Sequence, residues 1–245
     1  MIDTHCHIDL YNNPIEIANE CEKLGIITIV MTNLPSHFEL GYKHLRTYQK
    51  VRLALGLHPL YSELHAIELP GFIRNISKTS YIGEIGLDFS KQGIASKEIQ
   101  IDSFKKILAA LKDKQKILSL HSRKAEKEVL QFLIAYDIKL AIFHWYSGPL
   151  SLIPKIVDSG FYLSVNTAMI KSKSGQAIIQ RLPSNCILTE SDGPFIENKG
   201  NPVKPSDLGS ITSFLAKLWN KSENDVQKLI DSNFKRLISS LSKVV

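Results

Sequence analysis

The sequence predicts an α/β fold, specifically a single (β/α)8 TIM barrel that occupies residues 1–245 as one domain. Three observations predict it: eight short apolar runs, amphipathic segments between them, and a chain of 245 residues. Alternation of strands and helices implies parallel pairing, and eight such repeats in about 250 residues match a closed barrel. An open doubly wound sheet gives a similar pattern, so the barrel rests on the strand count.

The predicted strands are short apolar runs bounded by turn or polar residues. In chain order they cover residues 1–5, 26–31, 51–55, 81–85, 116–120, 140–143, 161–165 and 186–189. The segments between them repeat apolar residues at three- and four-residue intervals, which is typical of helices with one buried face. The clearest predicted helices are residues 15–24, 99–111, 125–136, 208–219 and 225–240.

Composition excludes several classes of protein. Hydrophobic residues make up 44% and charged residues 22% of the chain, as in globular domains rather than disordered or fibrous ones. The net charge of +6 is compatible with an anionic partner and equally with an ordinary solvated surface. Residues 200–205 are the most linker-like stretch, but the helical segments after them are too short for a second domain.

Cysteine usage and the first residues predict a cytoplasmic location. The three cysteines, Cys6, Cys21 and Cys186, are widely separated, which argues against a disulfide framework and against a zinc ribbon. The polar residues Asp3, Thr4 and His5 are incompatible with a signal peptide, and no apolar run reaches the length of a membrane span. We therefore expect a reduced protein that does not interact with membranes.

Six possible metal ligands lie at the carboxyl ends of predicted strands, the face where TIM barrels build their active sites. They are His5, His7, Glu84, His121, His144 and Asp192. His5 and His7 are two residues apart in a strand, so both rings point to one face, and Asp3 is expected on that face as well. For each residue alone, a satisfied polar side chain at a strand end is the better explanation. Six at strand ends favour a metal site.

Imidazoles and carboxylates together suit one or two divalent ions, such as Zn, Mn or Mg. Glu84 lies between the two histidine groups in strand order and is the natural bridge between two ions. Asp192 is then placed to orient the attacking water and accept its proton.

The remaining histidines are less informative. His37, His44 and His65 fall in helical or loop segments and are expected at the surface. His58 follows the third strand on the ligand face, where it either contacts a substrate or caps the barrel as a polar loop residue.

Six short motifs resemble those of TatD-type metal-dependent deoxyribonucleases and come in the same order. They are D-T-H-C-H-I-D at 3–9, G-L-H-P at 56–59, G-E-I-G-L-D at 83–88, H-S-R at 121–123, the segment 144–148, and E-S-D-G-P at 190–194. The resemblance covers essentially the whole chain.

The resemblance implies a TIM barrel of the amidohydrolase superfamily, two or three divalent metal ions, and hydrolysis of DNA phosphodiester bonds, often from a 3′ end. It implies that His5, His7, Glu84 and Asp192 hold one ion, and that Glu84, His121 and His144 hold the other. Glu84 and Asp192 would be the catalytic carboxylates. Where many family members have Cys after the fourth histidine, this chain has Trp145.

Segments 144–148, 161–166 and 188–195 also resemble the QatD group, the TatD-type component of the bacterial Qat anti-phage systems. This narrower resemblance implies a role in antiviral defence, with other Qat proteins as partners.

Substrate contacts are the least constrained part of the prediction. Arg123 follows a ligand strand, where its guanidinium could fork onto a phosphate. Lys171 and Lys173 follow the seventh strand, where barrels often bind phosphate, although a solvated basic loop explains them as well. Trp145 either stacks on a base or packs beneath a loop. No helix-turn-helix motif is evident, so sequence-specific reading of a duplex is not expected. The resemblance implies a DNA substrate, which we expect to be single-stranded or bound at a 3′ end.

Two other functions fit the same residues. One is an amidohydrolase-type enzyme that acts on a small ester, amide or phosphoester. The other is a mainly structural subunit of a defence complex, although an intact ligand set argues against an idle site.

Overall fold

A computed structural model describes residues 1–242 and confirms the predicted α/β barrel. Eight parallel strands lie close to the predicted runs. They are β1 (Ile2–Cys6), β2 (Ile27–Val30), β3 (Val51–Leu53), β4 (Tyr81–Gly86), β5 (Ile117–His121), β6 (Ala141–Phe143), β7 (Tyr162–Val165) and β8 (Ile187–Thr189). Their order around the barrel follows the chain, as expected when each strand is connected to the next by a crossover.

The barrel closes at two seams where the regular ladder is interrupted. Between β3 and β4, the Leu55 N–H donates to the Tyr81 carbonyl at 3.0 Å and the Gly83 N–H donates to the Leu55 carbonyl at 2.9 Å. Between β8 and β1, the Thr4 hydroxyl donates to the Thr189 carbonyl at 3.1 Å. These bonds join a three-stranded and a five-stranded sheet into one closed wall.

Ten helices surround the strands in the described part of the chain. They are α1 (Pro14–Leu24), α2 (Pro35–Leu45), α3 (His65–Asn75), α4 (Lys97–Leu111), α5 (Glu126–Ala135), α6 (Ile153–Asp158), α7 (Thr167–Lys171), α8 (Lys173–Arg181), α9 (Gly209–Trp219) and α10 (Glu223–Ser239). Local chemistry sets their ends: α1 begins with Pro14 after the Asn13 cap and stops at Gly25, whose φ is 67°. Across residues 1–242, each helix is too short or too polar to cross a bilayer.

The barrel interior has two halves of different chemistry. At the amino ends of the strands it is apolar, with buried Ile29, Ile117, Ile142 and Leu188 packed in one cluster with Phe234 of α10. At the carboxyl ends the interior is polar and holds buried histidines and carboxylates. The larger apolar core lies between the strands and the helical ring. The polar site therefore lies directly above the apolar cluster that fills the amino end of the barrel.

A small antiparallel hairpin after β8 was not predicted from the sequence. It consists of β9 (Glu197–Asn198) and β10 (Asn201–Pro202). Lys199 and Gly200 at its turn both have positive φ, 53° and 79°, as two-residue hairpin turns require. The hairpin projects from the carboxyl end of the barrel, directly after the Asp192 loop.

Candidate metal centre

Glu84 lies at the centre of a buried cluster, and each of its oxygens faces a different group of histidines. Oε2 lies 3.2 Å from His7 Nε2 and 3.5 Å from His5 Nε2. Oε1 lies 2.7 Å from His121 Nδ1 and 3.0 Å from His144 Nε2. The carboxylate thus stands between β1 on one side and β5 with β6 on the other, which is the arrangement that a bridging ligand needs.

A glycine at the end of β4 allows this approach. Gly86 has φ of 138°, and a Cβ at this position would lie 2.0 Å from the His121 carbonyl oxygen. Only glycine tolerates both conditions. The close contact allows the Leu87 N–H to donate to the His121 carbonyl at 3.0 Å, which fixes the end of β5 beside Glu84.

The two histidines of the H-C-H motif converge as the strand period predicts. Their Nε2 atoms lie 3.1 Å apart. His5 Nδ1 lies 2.8 Å from the Ser119 hydroxyl of β5, so a hydrogen bond there leaves Nε2 free to present its lone pair to the cluster. Asp192 Oδ1 lies 3.7 Å from the same Nε2, held by a hydrogen bond from the Asp192 N–H to the His5 carbonyl at 2.9 Å.

The cluster shifts the pKa of its own members. Burial by itself raises the pKa of Glu84, but the neighbouring imidazoles of His58 and His144 outweigh it and hold that pKa well below its usual range. Burial and the nearby His144 lower the pKa of His5 to about 3, so His5 is neutral and able to act as a ligand. Burial raises the pKa of Asp192 to about 7, with repulsion from Glu190 acting in the same direction and His144 opposing both.

The donor atoms fit divalent metal ions. Three overlapping groups have ligand atoms within 4.8 Å of one another: His5 with His7 and Glu84, His5 with His144 and Asp192, and His58 with Glu84 and His121. Buried imidazole nitrogens and carboxylate oxygens here present several lone pairs to one small volume, and a divalent cation bound there would pair with them. The first two groups contain every ligand that the sequence predicted except His121, which belongs to the third.

His58 differs from the other histidines in the way its ring is held. Its Nδ1 accepts a hydrogen bond from the Leu60 N–H at 3.2 Å, so this nitrogen carries no proton, and burial lowers the pKa of the ring. A neutral imidazole has one donor and one acceptor nitrogen, which leaves the proton on Nε2. That Nε2 lies 3.4 Å from Glu84 Oε1. In this orientation His58 donates a hydrogen bond into the site rather than binding metal.

Two carboxylates that sequence reasoning did not assign to the site support its histidines. Asp88 Oδ2 lies 2.8 Å from His121 Nε2 and so fixes the ring from the side opposite Glu84. Asp88 is the last residue of the G-E-I-G-L-D motif, and this place in the motif could have identified it as a site residue from the sequence. Burial raises its pKa, but the hydrogen bond with His121 prevails and lowers it to about 2.

Glu190 is the second such carboxylate and is completely buried. It accepts hydrogen bonds from the backbone N–H of Trp145 at 3.0 Å, from the Asn166 side-chain amide at 2.9 Å, and from the Ser164 hydroxyl. One of its oxygens lies 3.7 Å from His144 Nδ1. Glu190 thereby holds the turn after β6, in which Trp145 has the left-handed φ of 36°. Its signal was an acidic residue two positions before Asp192.

Two expectations were wrong. Asp3 lies behind the cluster, because its Oδ1 accepts the N–H groups of His5 and Ser191 at 3.1 and 3.0 Å, at the seam between β1 and the loop after β8. His65, expected at the surface, is buried and its Nε2 contacts the His58 carbonyl at 3.0 Å. His44 is exposed and His37 is half-buried.

A cleft of about 550 Å³ opens above the cluster. Among its lining residues are Glu84, His58, Asp192, Arg123 and Trp145. The Arg123 guanidinium donates to the Gln92 side chain at 3.2 Å, and the Trp145 side chain is 37% exposed. The cleft therefore combines buried ligands at its floor with a cation and an aromatic ring at its wall.

The two lysines predicted to bind phosphate lie outside the cleft lining, as far as the described residues go. Lys171 ends α7, and its Nζ donates to the Asn198 side chain of the hairpin at 3.2 Å. Lys173 begins α8 and is exposed. They lie on the side of the hairpin, away from the floor of the site.

Solved structures share this architecture. The TatD homologue YJJV of Escherichia coli superposes with a TM-score of 0.86 at 23% identity, and each chain is covered over 97% of its length. A dihydroorotase of Campylobacter jejuni superposes with a TM-score of 0.63 at 12% identity, over 97% of this chain and 82% of that one. These similarities establish the fold.

Sequence relatives cover nearly the full chain. An uncharacterized metal-dependent hydrolase of Methanocaldococcus jannaschii is 27% identical over 240 residues, which are 95% of this chain and 94% of the relative. The deoxyribonuclease TATDN3 of Homo sapiens is 21% identical, over 98% of this chain and 95% of that protein. The model of the family described as TatD related DNase matches residues 2–239. The chain therefore belongs to the TatD-related DNase family of metal-dependent hydrolases.

Proposed function

We propose that this protein is a metal-dependent deoxyribonuclease that hydrolyses phosphodiester bonds of single-stranded DNA from the 3′ end. One observation carries the proposal: the two oxygens of Glu84 face separate histidine groups at the floor of a cleft whose wall provides Arg123 and Trp145. Divalent cations held at this floor, together with the Arg123 guanidinium, would suit a phosphodiester, whose charge must be neutralised during attack.

Two divalent ions, chosen among Mg, Mn and Zn, would be held by the residues around Glu84. His5, His7 and Asp192 would hold the first ion and His121 with His144 the second, and Glu84 would be shared between the two sites. Such ions act as Lewis acids towards a phosphate ester and supply a nucleophilic water at neutral pH.

The other residues of the cleft would act on the substrate directly. The Nε2–H of His58 donates to a phosphate oxygen, and Arg123 pairs with a phosphate through its planar guanidinium. Asp192 accepts a proton from the attacking water, because its carboxylate lines the cleft and lies 3.7 Å from His5 Nε2. Trp145 offers an exposed indole on which a base stacks, and Lys171 with Lys173 contacts phosphates farther along the strand.

The resemblance of three segments to the QatD group supports a biological setting. We propose that the enzyme acts in bacterial anti-phage defence together with other Qat proteins. The cytoplasm is the proposed compartment, because all three cysteines are buried free thiols within residues 1–242 and none forms a disulfide. A stable complex with the products of neighbouring genes, isolated through a tag on this chain, tests the partnership, and its absence contradicts it.

A nuclease assay tests the activity. Purified protein with Mg, Mn or Zn is incubated with single-stranded DNA labelled at the 5′ or the 3′ end, and with RNA of the same sequence. We expect immediate release of the 3′ label, a ladder from the 5′ label, and weaker action on RNA. Glu84→Ala and Asp192→Ala should abolish the activity, whereas Asp102→Ala, which removes an exposed carboxylate on α4, should not.

Two results would contradict the proposal. The first is activity that survives Glu84→Ala in protein free of contaminating nuclease. The second is turnover of a small ester, amide or phosphoester at rates far above those on DNA, which would favour the amidohydrolase-type alternative.

A further inference from the structure

Phe195 is an aromatic side chain whose exposure packing does not explain. Its ring is 58% exposed, whereas the next residue, Ile196, is buried. The backbone is fixed on both sides of the ring: the Phe195 N–H donates to the Asp192 carbonyl at 3.0 Å, and the Val203 N–H donates to the Ile196 carbonyl at 2.8 Å. A rigid turn therefore presents an apolar ring to solvent, which is unfavourable unless something covers it.

The ring lies against the proposed metal centre. Its centroid is 5.0 Å from that of His7, with the two rings nearly perpendicular at 80°. Phe195 lines the same cleft as Trp145, Arg123 and Gln92. A phosphate bound at the Glu84 cluster would therefore lie close to the Phe195 ring. The Arg123 guanidinium would face it from the lining of the same cleft.

The chemistry of this wall matches an unpaired nucleotide. Nucleobases stack on aromatic rings irrespective of sequence, because every base has a π-face, while the backbone is attracted by cations. A base within a duplex is already stacked and paired, so it reaches such a ring only after it leaves the helix. An exposed ring beside a phosphate site thus selects single strands or frayed ends.

We propose that Phe195 is a specificity-determining residue that stacks on the base of one unpaired nucleotide next to the scissile phosphate. This rests on the proposed nuclease function and adds the register of the bound strand and a residue that would account for the preference for single strands. The following hairpin, β9 with β10, lies beyond the ring and contacts Lys171, so it continues the same wall in the direction of the next nucleotides.

The experiment couples a change in the enzyme to a change in the substrate. Wild-type protein, Phe195→Ala and Phe195→Tyr are assayed on single-stranded oligonucleotides in which one thymine is replaced, position by position, by the saturated and non-planar base dihydrothymine. Leu40→Ala, which removes an exposed apolar side chain on α2, is the matched control. The melting temperature of each variant checks folding, which the exposed position of Phe195 should leave unchanged.

We expect that dihydrothymine at the position that stacks on Phe195 lowers kcat/KM of the wild type by about 5- to 150-fold. This factor corresponds to the free energy of stacking one base on an aromatic ring. Phe195→Ala should lose the same factor on the normal strand and nothing further on the modified one. Phe195→Tyr and Leu40→Ala should behave like the wild type. The preference for single strands over blunt duplexes should shrink in Phe195→Ala.

Four results overturn the inference. If Phe195→Ala cleaves DNA as well as the wild type, or if its loss adds to that of dihydrothymine at every position, Phe195 does not stack on a base and the nuclease function stands. If Phe195→Ala instead loses only a protein partner, the ring is a docking residue. If the wild type cleaves no DNA, the proposed function fails and this inference fails with it.

Discussion

The two ends of the barrel interior solve opposite problems. At the amino end, Ile29, Ile117 and Phe234 fill the space between the strands with apolar side chains, and the cavity left there is only about 10 Å³. At the carboxyl end, five histidines surround Glu84 at distances of 2.7 to 3.5 Å. One end is close-packed and uncharged, and the other buries charge without filling its cleft.

The difference shows where stability and function are located. Two bulky or charged residues at the carboxyl end have left-handed backbone, Trp145 with φ of 36° and Asp192 with φ of 47°. Such conformations cost about 1–3 kcal/mol each for residues other than glycine. The folding free energy contributed by the apolar end offsets the cost of strained turns and desolvated charges at the carboxyl end. Each of the following predictions changes one end and compares it with the other.

Removal of metal should have the largest effect, confined to the carboxyl end. A chelator should abolish hydrolysis and lower the melting temperature, because metal binds the folded site and not the unfolded chain. Re-addition of Mn or Zn should restore both. Glu84→Ala should show no metal-dependent shift in calorimetry, and a shift of wild-type size in that variant would contradict the bridging role of Glu84.

The metal-dependent shift should grow with pH. Burial raises the pKa of Asp192 from 3.8 to about 7, so the folded metal-free protein binds more protons than the unfolded chain between these values. The stability contributed by this carboxyl group is present at low pH and is lost as pH rises through about 7. The ionised carboxylate then becomes available to metal, so the shift should be larger at about pH 8 than at about pH 6.

Phe234→Ala should have the second largest effect, at the amino end. Loss of a buried phenyl ring costs about 3–5 kcal/mol of unfolding free energy. Urea denaturation of the metal-free protein measures this cost, and Phe234→Leu should lose clearly less. Activity per folded molecule should stay near the wild-type value, because the ring lies below the ligands. A collapse of activity in fully folded protein would show that the two ends are not independent.

Glu190→Gln should lower metal affinity and activity by about 10- to 100-fold, as loss of a group that orients a ligand does. The chain has two tryptophans, so Trp219→Phe leaves Trp145 as the single tryptophan. In that background Glu190→Gln should shift Trp145 emission, since the backbone N–H of Trp145 donates to Glu190 and this bond holds the turn that carries the indole. Asp88→Asn, which disturbs His121 instead, should lower metal affinity without the fluorescence change. An unchanged spectrum with reduced activity would contradict the positioning role.

The smallest effect should come from the basic loop. Lys171→Ala with Lys173→Ala should weaken binding of single-stranded DNA a few-fold at low salt and less at high salt, with a shallower dependence of affinity on salt. Lys139→Ala, an exposed lysine at the amino end of the barrel, is the control and should change nothing. Equal losses from both variants would mean that DNA is attracted by net charge rather than by the carboxyl face.

Sequence reasoning succeeded where local rules apply. The expected convergence of His5 and His7 was correct, since their Nε2 atoms lie 3.1 Å apart although His7 lies one residue beyond the end of β1, and the strand count produced the barrel. The prediction for Asp3 failed, because the alternation of side chains along a strand does not hold where β1 pairs irregularly between Asp3 and Cys6. The prediction of a surface position for His65 was also wrong, because its burial depends on the His58 loop that covers it.

The sequence by itself determined the barrel, the order of its strands and the strand ends from which His5, Glu84, His121, His144 and Asp192 project, because periodicity and turn residues act over a few neighbours. Only the tertiary structure decided how these side chains are oriented. Glu190 meets the turn after β6 across 45 residues of sequence, and Phe195 is set against His7 by a loop from the opposite end of the chain. Such contacts depend on closure of the barrel, which brings the first and last strands together.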